Sequence, residues 1–140
     1  QKVATRVHRA VLESPAGRFA SRIAGHEFLV LRATGRKSGL GRETPLSFTR
    51  DGGAFVVIAS DGGAPCHPDW YRNLQANPHV DVVVGGKLIA ARAETVTGPD
   101  RDRLWRAAVR SFPGYRVYQA RTAREIPVVR LVPRAPSPGA

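Results

Sequence analysis

The most regular feature of the chain is a series of short apolar or alternating runs separated by turn residues. Six runs have the length and the β-branched and aromatic content of strands, and they cover residues 28–33, 43–49, 54–59, 80–84, 88–96 and 126–132. Asp51-Gly52-Gly53 and Gly85-Gly86 join neighbouring runs through residues that tolerate positive φ. Because turns this short leave no room for the crossover that parallel strands need, the strands are predicted to be antiparallel.

Helical patterns interrupt the strands. A short helix is predicted over residues 68–76, and a longer one follows Thr97 and ends at Pro113-Gly114. A further short helix is predicted over residues 115–122. At the N-terminus, residues 2–23 predict one or two amphipathic helices, which could pack on the domain or contact a membrane surface.

Together these elements predict one domain with an α+β, mainly β fold. About six antiparallel strands with short helical excursions are typical of a small closed or split β-barrel. The 140 residues are the size of a single domain. We divide them into an N-terminal helical segment (1–26), a barrel domain (27–132) and a Pro-rich tail predicted to be disordered (133–140).

The charge of the chain restricts its partners. A formal net charge of +11 arises from 22 basic and 11 acidic residues, and 19 of the basic residues are arginine. Such a field favours nucleic acid, anionic lipid or a small polyanion, although dispersed arginines can also reflect composition alone. Neither a recognition helix nor an aromatic RNA-binding motif accompanies the charge, which makes a nucleic-acid-binding module the weaker hypothesis.

The single cysteine and the hydropathy pattern bear on location. With Cys66 alone, no intrachain disulfide can form, and a cytoplasmic location is predicted. No run approaches the roughly 20 apolar residues that span a bilayer, so membrane association would be peripheral, through the N-terminal segment.

The first candidate site is the turn between the first two strands. Residues 34–39 read TGRKSG and are followed by Arg42, so two glycines, a hydroxyl and three cations lie close together. Glycines let backbone N–H groups converge on an anion, and arginine and lysine add charged donors. The loop suits a phosphate group, but its spacing is neither that of a Walker loop nor GxGxxG, and a solvated basic turn is an equal alternative.

The second candidate site runs from the end of an apolar strand into a helix. Ala59-Ser60 are followed by Asp61-Gly62-Gly63 and then by the helix that begins near Pro68. Since helix N-termini attract anions, a flat aromatic ligand could lie against Ala59-Ser60 with its phosphate directed towards the basic turn.

These segments, taken in order, resemble the deazaflavin-dependent nitroreductases and quinone reductases of actinobacteria. The resemblance covers roughly residues 28–132 and rests on several weak motifs whose combination is specific. The motifs are TGRKSG at 34–39, Arg42 with TPL at 44–46, Ala59-Ser60 with Gly62-Gly63, His67-Pro68 with Trp70-Tyr71 and Asn73-Leu74, Ala76-Asn77-Pro78, FPGY at 112–115 with Tyr118, and Glu125-Ile126-Pro127.

The resemblance implies an FMN-binding split-barrel-like fold that binds coenzyme F420, an 8-hydroxy-5-deazaflavin with a phosphate and a polyglutamate tail. On the family pattern the phosphate ligands would be Arg36, Lys37, Ser38 and Arg42. The residues shaping the ring pocket would be Pro45, Leu46, Ala59, Ser60, Trp70 and Asn73. The implied cofactor-binding set is completed by Gly39, Ser47, Ile58, Asp61, Gly62, Gly63 and Asp69.

Three positions depart from the family pattern. Ser47 stands where relatives often carry an aromatic residue, Phe112 replaces a frequent tyrosine, and Asp61 replaces a frequent lysine beside the coenzyme. These departures bear on the choice of substrate. The absence of a lysine at position 61 also bears on how strongly the polyglutamate tail of the coenzyme is bound.

The resemblance implies hydride transfer from the reduced coenzyme to a small acceptor, such as a quinone, a nitro compound or an activated alkene. A deazaflavin carries hydride itself, so the protein needs mainly to position the reactants. We expect Ser60 to bond the ring or acceptor, Tyr115 to donate a proton or orient the acceptor, and Tyr118 to face it. The chain is predicted to act as a monomer or a homodimer.

Other chemistries have less support. A non-catalytic carrier of coenzyme, haem, FMN or fatty acid on the same barrel is the alternative function. Cys66 and His67 are adjacent and lack a third orienting group, so covalent catalysis is disfavoured. The histidines and the cysteine show no spacing typical of a zinc site, so no metal is expected. Tyr115 and Tyr118, three residues apart on a helix, could simply cover the core.

Overall fold

The computed structural model of this chain describes residues 27–135. The predicted N-terminal helical segment and the last five residues of the predicted tail lie outside this range. The described elements are β1 (Phe28–Thr34), β2 (Gly41–Ser47), β3 (Thr49–Asp51), β4 (Ala54–Ile58), a 3₁₀ turn (Asp61–Gly63), α1 (Asp69–Ala76), β5 (His79–Val84), β6 (Lys87–Thr95), α2 (Gly98–Ser111), α3 (Gly114–Ala120) and β7 (Val128–Pro133). None of these helices is long and apolar enough to cross a membrane.

The strands form one antiparallel sheet that curls on itself. The strand order is β2-β1-β5-β6-β7-β4-β3, and every pairing is antiparallel, as the short turns predicted. The two edge strands, β2 and β3, are separated in the chain by Phe48 alone. Because one residue can span only a few ångströms, the two edges must meet, which gives the predicted barrel architecture.

The number of strands differs from the prediction at this meeting point. The predicted strand 43–49 is two strands, so the described part of the chain has seven strands rather than about six. Phe48 is buried, packs edge-on against Phe55 with ring centroids 5.4 Å apart, and donates its N–H to the carbonyl of Glu27. The chain therefore changes pairing partners at Phe48, from β1 to β4, which a run of sequence letters does not reveal.

Two hydrophobic clusters lie on opposite faces of the sheet. The interior of the barrel is filled from alternate positions of the strands, including Leu31, Val57, Val82 and Leu131. The outer face of β4 and β7 packs against α2 and α3 through a second cluster that includes Ile58 and Leu104. β4 supplies both clusters and is buried along its whole length, as its continuous apolar run predicted.

The last strand extends one residue beyond the predicted start of the tail. Pro133 belongs to β7, and the N–H of Arg134 donates to the carbonyl of Ala90 at 2.8 Å. Pairing with β6 therefore continues one residue past the predicted end of the strand at Val132.

Several arginines that contribute to the net charge are paired inside the fold. Arg130 on β7 contacts Glu94, Asp51 and Asp100, while Arg103 on α2 contacts Asp51 and Asp100. These contacts tie the β3–β4 turn to the first turns of α2. The neighbouring guanidinium groups of Arg103 and Arg130 lower the pKa of the Asp51 carboxyl below its ordinary value of 3.8.

Asp51→Asn is expected to lower the free energy of unfolding near neutral pH, because two guanidinium groups lose their shared carboxylate. Since the pKa of Asp51 is depressed in the folded state, its contribution is present above pH 3.8 and is lost as the pH falls through the folded value. Urea denaturation of both proteins over this range should give a stability difference that shrinks on acidification. A difference that stays constant to the acid limit would contradict this assignment.

Candidate functional site

The predicted phosphate-binding turn is a compact hairpin tip between β1 and β2. Gly35 and Gly39 close it, since the N–H of Gly35 donates to the carbonyl of Leu40 and the N–H of Gly39 donates to the carbonyl of Gly35, both at 2.8 Å. Gly39 has a φ of 73°, and a Cβ on Gly35 would lie 2.8 Å from the Ser38 hydroxyl. The backbone path therefore favours glycine at 39, and a side chain at Gly35 would displace the Ser38 hydroxyl.

Arg36 fastens this tip to α1. Its backbone N–H and its Nη1 both donate to Oδ1 of buried Asn73, at 3.1 and 2.9 Å, and its Nη2 donates to Oδ1 of Asp69 at 3.2 Å. The predicted set assigned Arg36 to the phosphate and Asn73 and Asp69 to the cofactor pocket. The structure brings the three together, but as partners of one another.

Lys37, the second cation of the tip, faces outwards. Lys37, Ser38 and Gly39 are exposed, and Lys37 makes no ion pair with any residue in the described range. The Ser38 oxygen accepts the N–H of Leu40 at 3.2 Å, which leaves its hydrogen free to donate. Arg42 lies alongside Gly35, with its Nε 3.3 Å from where a Cβ would stand. The tip thus keeps donors for an anion beside the Arg36 anchor.

The second predicted stretch begins where β4 leaves the sheet. Ala59 is fully buried in the barrel interior, and Ser60 adopts a helical conformation that turns the chain into the 3₁₀ turn. Ser60 is 9% exposed, and its hydroxyl has no hydrogen bond to another residue of the described range. In the turn, Asp61 has a φ of 44°, which is uncommon for a residue other than glycine.

Gly63 allows this turn to lie against α3. A Cβ on Gly63 would stand 2.5 Å from the carbonyl oxygen of Tyr118, and its φ is 84°. The turn that carries Ser60 and the helix that carries Tyr118 are therefore in direct backbone contact. Only glycine satisfies both requirements at this position.

Arg124, which the sequence analysis did not single out, holds the same loop from the other side. Its guanidinium donates to the carbonyls of Ala59, Ser60 and Ala64, at 3.2, 2.8 and 2.8 Å. Its Nη1 also lies 2.9 Å from Nδ1 of His67. The only sequence signal was its place beside the Glu125-Ile126-Pro127 motif, and one arginine of 19 does not stand out.

His67 is fixed as a neutral acceptor by this contact. A guanidinium has no lone pair to offer, so Nδ1 of His67 must accept and the proton must lie on Nε2. Burial, together with the positive charges of Arg124 and Arg72, lowers the pKa of His67 below its ordinary value of 6.5. With Nδ1 engaged, His67 is poorly placed to activate the neighbouring Cys66, which is exposed.

A narrow cleft lies where the β2–β3 corner faces α2 and α3. It is lined by Ser47, Phe48, Thr49, Val56, Ile58, Ala108, Ser111, Phe112 and Tyr115. Inside it, the hydroxyls of Ser47 and Tyr115 are 3.0 Å apart and hydrogen-bonded, although the residues are far apart in the chain. The cleft is otherwise mainly apolar, so this pair provides its directional polar contact.

Tyr115 is a buried member of the predicted catalytic set and lies among aromatic rings. Phe112 packs edge-on against its ring at 4.9 Å, and Tyr118 and Trp105 lie at 6.4 Å. Burial raises the pKa of Tyr115 above its ordinary value of 10.0, more than its hydrogen bond with Ser47 lowers it. The phenol therefore stays protonated at neutral pH and can donate.

The side chains of the other predicted pocket residues do not all line one site. On β2, Leu46 packs against the barrel interior, whereas Pro45 and Ser47 lie on the opposite face, since side chains alternate along a strand. Trp70 on α1 packs partly against the interior cluster. The structure therefore joins Ser47, Ile58 and Tyr115 in the cleft and separates Leu46 from them.

Comparison with known proteins points to one family. A family model described as F420H(2)-dependent quinone reductase matches residues 4–133. An F420H(2)-dependent quinone reductase of Mycobacterium tuberculosis is 42% identical over 133 residues, which cover 92% of this chain and 89% of that protein.

Solved structures agree with this match. A structure described as an F420-H2 dependent reductase superposes with a TM-score of 0.69 at 39% identity, covering 74% of this chain and 92% of that chain. A structure described as a domain-swapped dimer has the same TM-score and identity and covers 74% of this chain and 78% of that one.

Asn73→Leu is expected to lower the free energy of unfolding by about 2–3 kcal/mol, because the backbone N–H and the guanidinium of Arg36 would both lose their acceptor. Urea denaturation measures this loss. Gln75→Leu, an exposed position on the same helix, is the matched control and should change stability by less than about 0.5 kcal/mol. Equal effects of the two substitutions would exclude Asn73 as the anchor of the hairpin tip.

Proposed function

Because this chain belongs to the F420H(2)-dependent quinone reductase family, we propose that it passes hydride from reduced coenzyme F420 to a small quinone. Nitro compounds and activated alkenes, which are also two-electron acceptors, are further predicted substrates. The cleft beside Tyr115 is the proposed acceptor site, and the basic hairpin tip together with the Ser60 loop is the proposed coenzyme site.

The observation that carries this proposal is the way α1 joins the two halves of the coenzyme site. The loop that starts at Ser60 leads directly into α1, and α1 holds the hairpin tip through Asn73, Asp69 and Arg36. β1 and β4 run in the same direction round the sheet, so the tip and the loop both follow the C-terminal end of a strand. An anion-binding tip and a ring-binding loop are thus parts of one unit.

The donor set fits a phosphate-bearing flat ring. Lys37 and Ser38 present an ammonium and a hydroxyl hydrogen at the exposed tip, with Arg42 beside them, which suits a phosphate and an acidic tail. Ser60 offers a hydroxyl without a partner among the described residues, next to the fully buried Ala59. When bound, a reduced deazaflavin supplies the hydride. Arg36 contributes by fixing the tip rather than by direct contact.

On the acceptor side, Tyr115 is the proposed proton donor or orienting group. Its hydroxyl is held by Ser47 inside an apolar cleft that excludes most water. Because Ser47 stands where relatives often carry an aromatic residue, the wall of the cleft at this point carries a hydroxyl instead of a ring. Tyr118 and Phe112 form the aromatic surroundings of the Tyr115 phenol.

The wider setting follows from the same argument. A homodimer is proposed on the likeness to the structure described as a domain-swapped dimer, and a monomer is the alternative outcome of a sedimentation measurement. A cytoplasmic location, peripheral membrane contact through residues 1–26 and the lack of nucleic-acid binding stay predictions from the sequence. A carrier without turnover would bind the coenzyme yet reduce no acceptor.

Lys37→Ala is expected to weaken coenzyme F420 binding about 10- to 100-fold, since one charge-assisted contact contributes about 1.5–3 kcal/mol. Titration of the oxidised coenzyme's fluorescence measures the affinity. Lys87→Ala is the matched control, because Lys87 is an exposed lysine beside the Gly85-Gly86 hairpin tip. Arg42→Ala should behave like Lys37→Ala. Wild-type affinity in both Lys37→Ala and Arg42→Ala would refute the phosphate assignment.

Tyr115→Phe is expected to lower kcat for quinone reduction by about 100-fold, the usual minimum for loss of a positioned proton donor. Coenzyme affinity should change less than about twofold, because the hydroxyl faces Ser47 in the acceptor cleft. Tyr71→Phe removes a hydroxyl bonded to Thr95 elsewhere and serves as the control. Because burial raises the pKa of Tyr115 above 10.0, ionisation of its phenol should not lower kcat at any pH below about 10.

A further inference from the structure

We propose that Arg124 is a positioning residue for hydride transfer, which fixes the Ser60 loop against the helix that carries Tyr115 and Tyr118. The proposal deepens the proposed function and rests on it. Its basis is the set of contacts made by the Arg124 guanidinium, which lies between the proposed coenzyme site and the proposed acceptor site.

The guanidinium of Arg124 uses most of its donors on a single loop. Nε donates to Ala64, Nη2 to Ser60, and Nη1 to Ala59 and His67. Consecutive carbonyls of an extended strand point in opposite directions, so one group can bind those of Ala59 and Ser60 only because Ser60 leaves the strand conformation. Arg124 therefore stabilises the very bend that presents Ser60.

Arg124 is itself held by α3. The side-chain amide of Gln119 donates to the carbonyl of Arg124 at 2.8 Å and accepts the N–H of Ile126 at 2.9 Å. Gln119 is one turn from Tyr115 and adjacent to Tyr118 on the same helix. Gln119, Arg124 and the carbonyl of Ser60 thus connect α3, which carries Tyr115, to the loop proposed to bind the coenzyme ring.

A backbone contact also holds the Ser60 loop against α3. A Cβ on Gly63 would stand 2.5 Å from the carbonyl of Tyr118, so the middle of the loop also lies against α3. With the loop held at both points, we expect the separation between Ser60 and Tyr115 to vary little. Transfer between two bound rings is sensitive to such separation, since small misplacements of reacting groups cost large factors in rate.

The requirement is for a planar fork of donors and not for charge alone. Lysine has one nitrogen and could not reach four separated acceptors, so Arg124→Lys keeps the charge and loses the geometry. Arg121→Lys is the matched control, three residues earlier, because Arg121 reaches the same loop through one contact of 3.4 Å to the carbonyl of Gly62. A difference between the two variants isolates the fork.

The first measurement uses the protein without coenzyme. Hydrogen exchange of the peptide covering residues 59–67 should become at least about tenfold faster in Arg124→Lys and change less than about twofold in Arg121→Lys. The amides of Gly63 and Ala64, bonded to Ser60 and Asp61, are the reporters. Unchanged exchange in Arg124→Lys would overturn the proposal.

The second measurement uses oxidised and reduced coenzyme F420 with a soluble quinone. Arg124→Lys is expected to weaken coenzyme binding about tenfold and to lower kcat about tenfold or more, with Arg121→Lys close to the wild type. A loosened loop with wild-type affinity and kcat would make Arg124 merely structural and overturn the proposal. Failure of the wild type to bind the coenzyme would refute the proposed function, while the exchange result would still decide whether Arg124 orders the loop.

His67→Leu keeps the test decisive if Arg124→Lys does not fold. It removes one of the four acceptors and leaves the three carbonyl contacts of Arg124 in place. We expect a change in exchange and in coenzyme affinity in the same direction as for Arg124→Lys but smaller, about two- to fivefold. Unchanged hydrogen exchange in the loop together with unchanged coenzyme affinity would contradict the proposed role of Arg124.

Discussion

The rest of the structure depends on the way one continuous segment closes the barrel. β2 and β3 lie at opposite edges of the sheet order yet are separated by Phe48 alone, so the edges are joined by the chain itself. Phe48 turns into the core at this corner, and Ser47, on the other face of the strand, is directed at α3. The cleft proposed as the acceptor site is a consequence of this corner, because it forms where the joined edges face the outer helices.

A second organising principle is the separation of paired from exposed cations. A chain with a net charge of +11 could present its arginines uniformly, but Arg130 and Arg103 are occupied by carboxylates, Arg36 by α1, and Arg124 by backbone carbonyls. These arginines add polar cross-links between neighbouring elements of the fold. Lys37, on the exposed β1–β2 tip, makes no ion pair within residues 27–135 and is the cation proposed to meet an anionic coenzyme. The charge therefore serves the fold and the proposed site through different residues.

The proposed coenzyme and acceptor sites are connected by direct contacts that the sequence motifs do not indicate. α1 links the tip to the start of the Ser60 loop, and Arg124 with Gln119 links the same loop to α3. Hydride carriers need little chemistry from the protein, so rigidity between coenzyme and acceptor is the main contribution that a fold can make. The contacts of Arg124 lie where that rigidity would matter.

Much of this protein was readable from its sequence because the relevant physics is local. Strand and helix positions follow from apolar periodicity, and the turns at Gly52 and Gly85 follow from positive φ. The order of the family motifs indicated the coenzyme class. Tertiary structure alone decided the break at Phe48, the capture of Arg36 by Asn73, the hydrogen bond between Ser47 and Tyr115, and the contacts of Arg124. Each of these joins residues distant in the chain or depends on which partner a strand or a guanidinium selects, and a sequence of residue types carries no record of that selection until the chain has folded.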